Sequence, residues 1–355
     1  MKTPFLHRLL PGIFMLSLGA PLLAQDINTG GGSTSQAKQQ SKDRPPRRQM
    51  QNIQNPMAHD PVLIKEGKRY YLFTTGMGIS VLSSEDLISW RGEPSVFKKA
   101  PQWAVEKIPG FRGHIWAPDI LFHNGRYHVF YSCSAFAKNT SAIGHASTKS
   151  LDPSNTDYGW TDHGMIVESH PNRDNWNAID ANVIIDEAGT PWMNFGSFWD
   201  GIKMVRLTPE LTIAEPQEWY SLSRRPRTFS LSNTNPGDGA VEAPFIYKKG
   251  KYYYLFVSFD YCCRGNESNY KVAVGRSEKV TGPYLDKDGK RMDQGGGSIV
   301  LQGNDEWAGV GHCGVHEIDG KDYLVAHAYI KAENGASRLI VRTLSWDENG
   351  WPLIE

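Results

Sequence analysis

The sequence predicts an all-β protein, a five-bladed β-propeller, and two observations carry that expectation. Five stretches repeat one pattern: HDPVLIKEGKRYYLF from His59, WAPDILFHNGRYHVFY from Trp116, DANVIIDEAGTPWMNF from Asp180, EAPFIYKKGKYYYLF from Glu242 and HCGVHEIDGKDYLVA from His312. Each has a head residue, a short apolar run, a turn with Gly67, Gly125, Gly189, Gly250 or Gly320, and an aromatic-rich alternating run. That is a β-hairpin written five times. The second observation is an absence: no stretch of ten residues carries the period of an amphipathic helix. A long repeat of hairpins without helices indicates blades packed radially, each first strand lining a central channel. The five heads, with Asp60 beside His59, then converge on one axial pocket.

The elements follow in chain order. MKTPFLHRLLPGIFMLSLGAPLLAQ has a basic start (Lys2, His7, Arg8) and an apolar run from Leu9 to Ala24. This reads as a signal peptide over 1–24 for export to the periplasm or beyond. Pro11, Gly12 and Pro21 break the run and leave it too short for a membrane anchor. Residues 25–56 are rich in Gln, Ser, Gly and Pro without apolar periodicity and read as a disordered leader. The remaining 57–355 accommodates five blades of four strands. GISVLSSEDLISW (78–90), SAIGHASTKSL (141–151), GIKMVRLT (201–208), YKVAVGRSEKVTGPY (270–284) and SRLIVRTLSWDENGWP (337–352) each supply a third strand, followed in most cases by turn residues.

Composition narrows the class of ligand. The 355 residues include 38 basic and 38 acidic side chains, so no net charge draws the chain to nucleic acid or an anionic membrane surface. The 11 Trp and 15 Tyr suit half-buried strands and stacking on flat ligands such as sugars. The cysteines are Cys133, Cys262, Cys263 and Cys313. An exported chain is permitted disulfides, and four cysteines allow three full pairings that sequence does not distinguish. For the adjacent Cys262 and Cys263, two unpaired buried thiols are expected in preference to a vicinal bridge. No CxxC or Cys/His zinc spacing is present.

The chemistry lies in the heads. A glycosidic bond is broken by two carboxyl groups, one protonated to release the leaving oxygen and one ionised to activate water or attack the sugar. Asp60 (AHDP), Asp180 (NAIDANV) and Glu242 (GAVEAPF) are three candidates. All begin apolar strands, where an unpaired carboxylate is unfavourable unless it serves a purpose. Apolar neighbours raise a carboxyl pKa, which casts Glu242 as general acid. Asp60, with His59 beside it to hold it ionised, is the expected general base. Asp180 then orients Glu242 and disfavours its ionisation. His312, among Gly309, Gly311 and Gly314, holds either an axial metal or a carboxylate. Trp116, Phe136, Phe198 and Trp199 are candidate sugar-stacking faces.

Over 57–355 the chain resembles the endo-arabinanases of glycoside hydrolase family 43. The resemblance rests on AHDP, HIWAPDI, SAIG, WNAIDANV, FGSFWDGIKMVRL, VEAPFIYKKGKYYYLFVSFDYCCRG, YKVAVGRS and LSWDENGWP. It implies hydrolysis of internal α-1,5 bonds of arabinan with inversion, Asp60 as base, Glu242 as acid and Asp180 as the residue tuning the acid. It also implies substrate contacts from Trp116, Phe136, Gly144, Asn177, Ala178, Ile179, Ser197, Phe198 and Trp199. A calcium ion on the axis at His312, held mainly through water, is implied too; Ca²⁺ otherwise prefers oxygen ligands. Ala181 stands where proline is expected, and GVGHCG where GPGH is expected. The expected partner is arabinan or pectin side chains, with no nucleic acid, no membrane insertion and a monomeric chain. Exo-acting cleavage and a catalytically inactive glycan-binding propeller are the rival readings.

Overall fold

A computed structural model describes residues 53–228 and 230–355. Five antiparallel sheets follow one another along the chain. Blade 1 is built from Val62–Glu66, Arg69–Thr74, Ser80–Ser84 and Ser89–Glu93; blade 2 from His114–His123, Arg126–Cys133, Ser141–Thr148 and Thr161–Ser169. Blade 3 contains Asn182–Ile185, Pro191–Phe195, Ile202–Arg206 and Trp219–Ser223. Blade 4 contains Val241–Lys249, Tyr252–Phe259, Lys271–Ser277 and Ser298–Leu301, and blade 5 Trp307–Ile318, Lys321–Ile330, Ala336–Trp346 and Pro352–Ile354. The five-bladed β-propeller expected from the repeats is the fold. The only α-helix among the described residues is the six-residue Gln102–Lys107. All five hairpin glycines have left-handed backbone, with φ between 55° and 80°, a conformation that carries no Cβ penalty in glycine.

The blades are joined by apolar packing at every seam. Along Arg126–Cys133, Val129 and Tyr131 pack with Tyr71 and Phe73 of blade 1, whereas Phe130 packs with Met193 and Phe195 of blade 3. In blade 4, Leu255 and Val257 join Met204 of blade 3, while Tyr254 and Phe256 join Val315 and Leu324 of blade 5. Alternate side chains of one strand therefore serve two different interfaces, because successive residues point to opposite faces of a sheet. Both faces are buried, so these strands read as near-continuous apolar runs. Each such side chain contributes about 1.5–3 kcal/mol on burial.

The ring closes between blades 5 and 1. Leu63, Leu72 and Trp90 pack with Val325 and Leu339, Met57 bridges Arg338, and the Leu339 N–H donates to the Pro56 carbonyl at 3.0 Å. Ile53–Gln54 forms an extra outer strand on blade 1, opposite Trp90 and Ser89. This corrects the boundary read from sequence: residues 53–56, assigned to the leader, belong to the propeller. Two short residues of strand carry no periodicity to signal that. The signal peptide over 1–24 and the leader over 25–52 lie outside the described residues.

Blade 2 also carries a stack of imidazoles across three neighbouring strands. His128 Nδ1 and His145 Nε2 share a hydrogen bond at 2.9 Å, the His145 and His163 rings are 4.7 Å apart, and Phe130 stacks on His145.

Candidate active site

Every blade begins with one residue in left-handed backbone: Asp60 (φ 52°), Ala117 (44°), Asp180 (60°), Ala243 (54°) and His312 (49°). Such a φ disfavours any residue with a Cβ by roughly 1–2 kcal/mol, and its recurrence at five equivalent places marks it as part of the fold's design. In blades 2, 4 and 5 it sits within a register shift of the first strand, a bulge that re-aims neighbouring side chains. The heads taken from sequence are thus offset in three blades: His59, Trp116 and Glu242 precede the left-handed residue, whereas Asp180 and His312 occupy it.

The N–H of that residue is satisfied by the preceding blade. Ala117 donates to Thr75 Oγ1 (2.9 Å), Asp180 to Ser132 Oγ (3.0 Å) and His312 to Ser258 Oγ (2.8 Å). Asp60 closes the circle by donating to His327 Nδ1 of blade 5 at 3.1 Å. Ala243 donates to Asp180 Oδ2 at 3.2 Å, so Asp180 grips the backbone directly after Glu242. A second ring lies deeper: Asp119 accepts from the Val183 N–H, Asn182 from Ile246 and His316 from Leu63.

Asp60 is enclosed by basic and hydroxyl groups. His59 Nδ1 lies 2.8 Å and His312 Nδ1 3.1 Å from Asp60 Oδ1, and Thr75 Oγ1 donates to Oδ2 at 2.5 Å. Burial alone would raise this carboxyl, but His59 and His312 outweigh it and hold it well below the usual carboxylate range. The hydrogen-bond pattern also assigns protons. His327 accepts from Asp60 at Nδ1, so its Nε2–H faces Tyr329 Oη at 3.2 Å. The Cys263 N–H also donates to Tyr329 Oη, at 2.8 Å. Tyr329 is then left to donate to His59 Nε2 at 2.9 Å, which puts the His59 proton on Nδ1, facing Asp60. His327 is buried and pushed well below ordinary histidine, in keeping with its neutral role.

Glu242 has the opposite surroundings. Ser197 Oγ donates to Oε2 and Tyr270 Oη to Oε1, both at 2.7 Å. Burial raises its carboxyl, and those two hydrogen bonds oppose the rise without cancelling it. Asp180 is raised too, first by burial and then by the negative charge of Glu242 and Asp60. The two form a coupled pair that retains a proton more readily than Asp60 does. His312 senses all three: burial would lower its pKa, but Asp60, Asp180 and Glu242 lift it to about 9. The arrangement is a buried pocket with one carboxyl pKa driven down and another driven up, a combination suited to acid–base cleavage.

The remaining predicted contacts divide into two groups. Ser197 bridges to Glu242, Asn177 Oδ1 accepts from Ser141, and the Gly196 N–H donates to the Ile179 carbonyl. Phe198 and Trp199 have left-handed backbone, with Phe198 edge-on to Tyr261. Ala178 is fully buried, its N–H donating to Ser169 Oγ. Phe136 is 79% exposed and Trp116 half-buried, its Nε1 donating to His114. Gly144 sits mid-strand, paired with Tyr131 and Met165, and a Cβ there would come within 2.4 Å of the Tyr131 ring and 2.7 Å of Trp103. It is a packing glycine beneath two aromatic rings. Cys262 and Cys263 are a correction: they form a disulfide, while Cys133 and Cys313 are free and buried. Sequence reasoning passed over Thr75 and Tyr270, each one residue outside a strand, and His327 and Tyr329, which lie in the ordinary alternating strand Lys321–Ile330.

The residues at His312 fit an axial cation. Nδ1 is taken by Asp60, Nε2 has no hydrogen-bond partner among the described residues, and three carboxylates supply negative potential. A metal-bound imidazole that donates its other N–H to a carboxylate is a common arrangement.

The model of the family described as glycosyl hydrolases family 43 matches residues 52–352. The chain is 50% identical over 298 residues to an extracellular exo-alpha-(1→5)-L-arabinofuranosidase of Cellvibrio japonicus, covering 84% of this chain and 86% of that protein. It is 43% identical over 302 residues to an extracellular endo-alpha-(1→5)-L-arabinanase of Bacillus subtilis, covering 84% and 88%. The structure of a Cellvibrio cellulosa alpha-L-arabinanase complexed with arabinohexaose superposes with a TM-score of 0.82 at 48% identity, over 85% of this chain and 96% of that one.

Proposed function

The chain belongs to glycosyl hydrolase family 43, and on that premise we propose that it hydrolyses the α-1,5-L-arabinofuranosidic bonds of arabinan by a single inverting displacement. The observation that carries this reading is the divergent setting of Asp60 and Glu242 in one pocket. Asp60, ionised between His59, His312 and Thr75, accepts a proton from water as that water attacks the anomeric carbon. Glu242 gives its proton to the leaving oxygen. Asp180 positions the acid through the Ala243 N–H and adds a negative charge that keeps the pair protonated. Phe136, Trp116, Phe198 and Trp199 offer rings to the sugars, and Asn177 to Ile179 with Ser197 line the pocket beside them. A Ca²⁺ ion at His312 Nε2, completed by water, would supply fixed positive charge near the carboxylates. Export is supported by the extracellular naming of both relatives.

Two modes of cleavage remain in play. The motifs FGSFWDGIKM and FVSFDYCCRG support the arabinanase branch, and the endo-acting Bacillus subtilis relative supports cutting within the chain. The 50% identity to an exo-acting relative, against 43% to an endo-acting one, favours release from chain ends. Chromatography of arabinan digests over time separates them: early oligomers of mixed length mean endo, a single product from the outset means exo. Proton NMR of the first product tests inversion, and an initially retained anomer overturns it. Glu242→Ala should cut arabinan turnover by roughly 10²–10⁴-fold and spare aryl arabinosides more, because a good leaving group needs little protonation. Equal loss on both substrates removes Glu242 from the role of acid.

A further inference from the structure

The disulfide lies against the catalytic pocket, and the acid–base chemistry leaves it unused. Cys263 Sγ is 3.7 Å from His59 Nε2, and Nε2 is the unprotonated nitrogen of that ring by the hydrogen-bond assignment above. Cys262 Sγ, Cys263 Sγ and a nitrogen of His59 lie within 4.8 Å of one another. Tetrahedral zinc, with bonds of about 2.3 Å to sulfur and 2.0–2.1 Å to nitrogen, needs its donors roughly 3.5–3.8 Å apart. Two sulfurs bonded to each other cannot both ligate; two thiolates released from the bond can. His59 already has the supporting contact of a metal-bound imidazole, Nδ1–H to the Asp60 carboxylate at 2.8 Å. Tyr329 Oη, which occupies His59 Nε2, has Cys263 Sγ within 3.8 Å as an alternative acceptor. Cys263 is exposed, so a reductant reaches it.

We propose that Cys262, Cys263 and His59 Nε2 form a redox-gated site for a thiophilic divalent cation such as Zn²⁺, closed by the disulfide and opened by a dithiol reductant. On opening, the S–S bond takes two electrons and two protons from the dithiol, which becomes a cyclic disulfide. On binding, the two thiols lose their protons to solvent and the metal gains two thiolates and one imidazole, with water as the fourth ligand. Soft thiolates select this class of metal over calcium, so the site is chemically separate from the axial position at His312. A dication on His59 draws charge from Asp60 through the ring, and the reduced, metal-loaded enzyme is inhibited.

The full chain is reduced with a water-soluble phosphine, which takes its oxygen from water, then desalted without air and titrated with Cd²⁺. Native-state thiol counting should show two fast thiols appear on reduction, with Cys133 and Cys313 reacting slowly. A thiolate-to-cadmium charge-transfer band should rise to one equivalent in the reduced chain and be absent from the oxidised one. His59→Ala should weaken binding roughly tenfold or more, and Zn²⁺ should inhibit glycoside cleavage after reduction only. Cys262→Ser/Cys263→Ser should abolish the band; if that variant does not fold, alkylation of the two fast-reacting thiols in reduced wild type is the equivalent block. The proposal is overturned if the reduced chain with native near-ultraviolet circular dichroism binds no Cd²⁺, or if blocking both thiols leaves binding intact. These binding readouts do not depend on arabinan being the substrate.

Discussion

His312, beside Asp60, and the histidines stacked across blade 2 share one residue type and are driven in opposite directions. At the channel, His312 is half-buried, and although burial would lower its pKa, the three carboxylates lift it to about 9. On blade 2, burial pushes His128 down to about 4 and His145 to about 3, with neighbouring histidines adding to the effect. Burial opposes charge in both places. What differs is the partner: a carboxylate compensates for lost hydration, and a second imidazole does not. With no cation bound, the carboxylates hold His312 charged, and a Ca²⁺ ion at Nε2 would take the place of that proton; the blade 2 group is a neutral packing element.

The strongest way to break this contrast is to remove the carboxylate at its centre. Asp60→Asn should lower kcat by about 10³-fold or more, and His312 should return toward an ordinary histidine pKa, followed by imidazole proton NMR. A His312 that stays high without Asp60 would mean that Asp180 and Glu242 alone set its charge. Next in size is the cation. His312→Gln, or prolonged chelation, should reduce kcat roughly 10–100-fold with the fold intact. Calcium should partly restore the chelated wild type and restore the variant far less. Full activity after chelation, with no metal found by elemental analysis, would leave His312 as a hydrogen-bonding partner of Asp60 only.

Stability against pH separates the two groups further. His128 and His145 have folded pKa values below the unfolded 6.5 or so, so between those values only the unfolded chain takes up the proton. Their contribution is complete above about 6.5 and is lost as pH falls through about 4 and 3. His312 has the reverse sign: its contribution is present below about 6.5 and is lost as pH rises through about 9. Thermal melts should show an acid limb that flattens in His128→Gln/His145→Gln and an alkaline limb that flattens in His312→Gln. Unchanged limbs would assign the pH dependence to other groups. The smallest effect is expected at the solvent end of the stack. His163 is exposed, and His163→Asn should change stability by no more than about 0.5 kcal/mol in urea unfolding.

The blades were readable because period-2 alternation and a glycine turn recur five times, each hairpin being a local event. Asp60, Asp180 and Glu242 stood out because carboxylates opening apolar strands need a reason. The supporting shell did not stand out. Tyr270 in NYKVAVG and His327 and Tyr329 in YLVAHAYI read as ordinary strand side chains, since the pocket they face is assembled from other blades. The one-residue offset of the heads was equally hidden, because only backbone φ distinguishes Glu242 from Ala243 as the turning point. Gly144 was opaque for a related reason: a glycine in a recognisable motif reports close approach without saying by what, and here Tyr131 and Trp103 lie against it. For Cys262 and Cys263, neighbours in sequence carry no pattern that separates a bridge from two thiols.

Asp60 stands at the joint where the circle of blades closes, and that has a consequence for biogenesis. Its cage draws on His312, His327 and Tyr329, all from blade 5, with His59 from the very start of the ring. A chain emerging residue by residue has Asp180 and Glu242 in place well before this cage can exist. On the proposed role of Asp60 as base, catalytic competence arrives only with the last blade, and a product truncated before it should be inert.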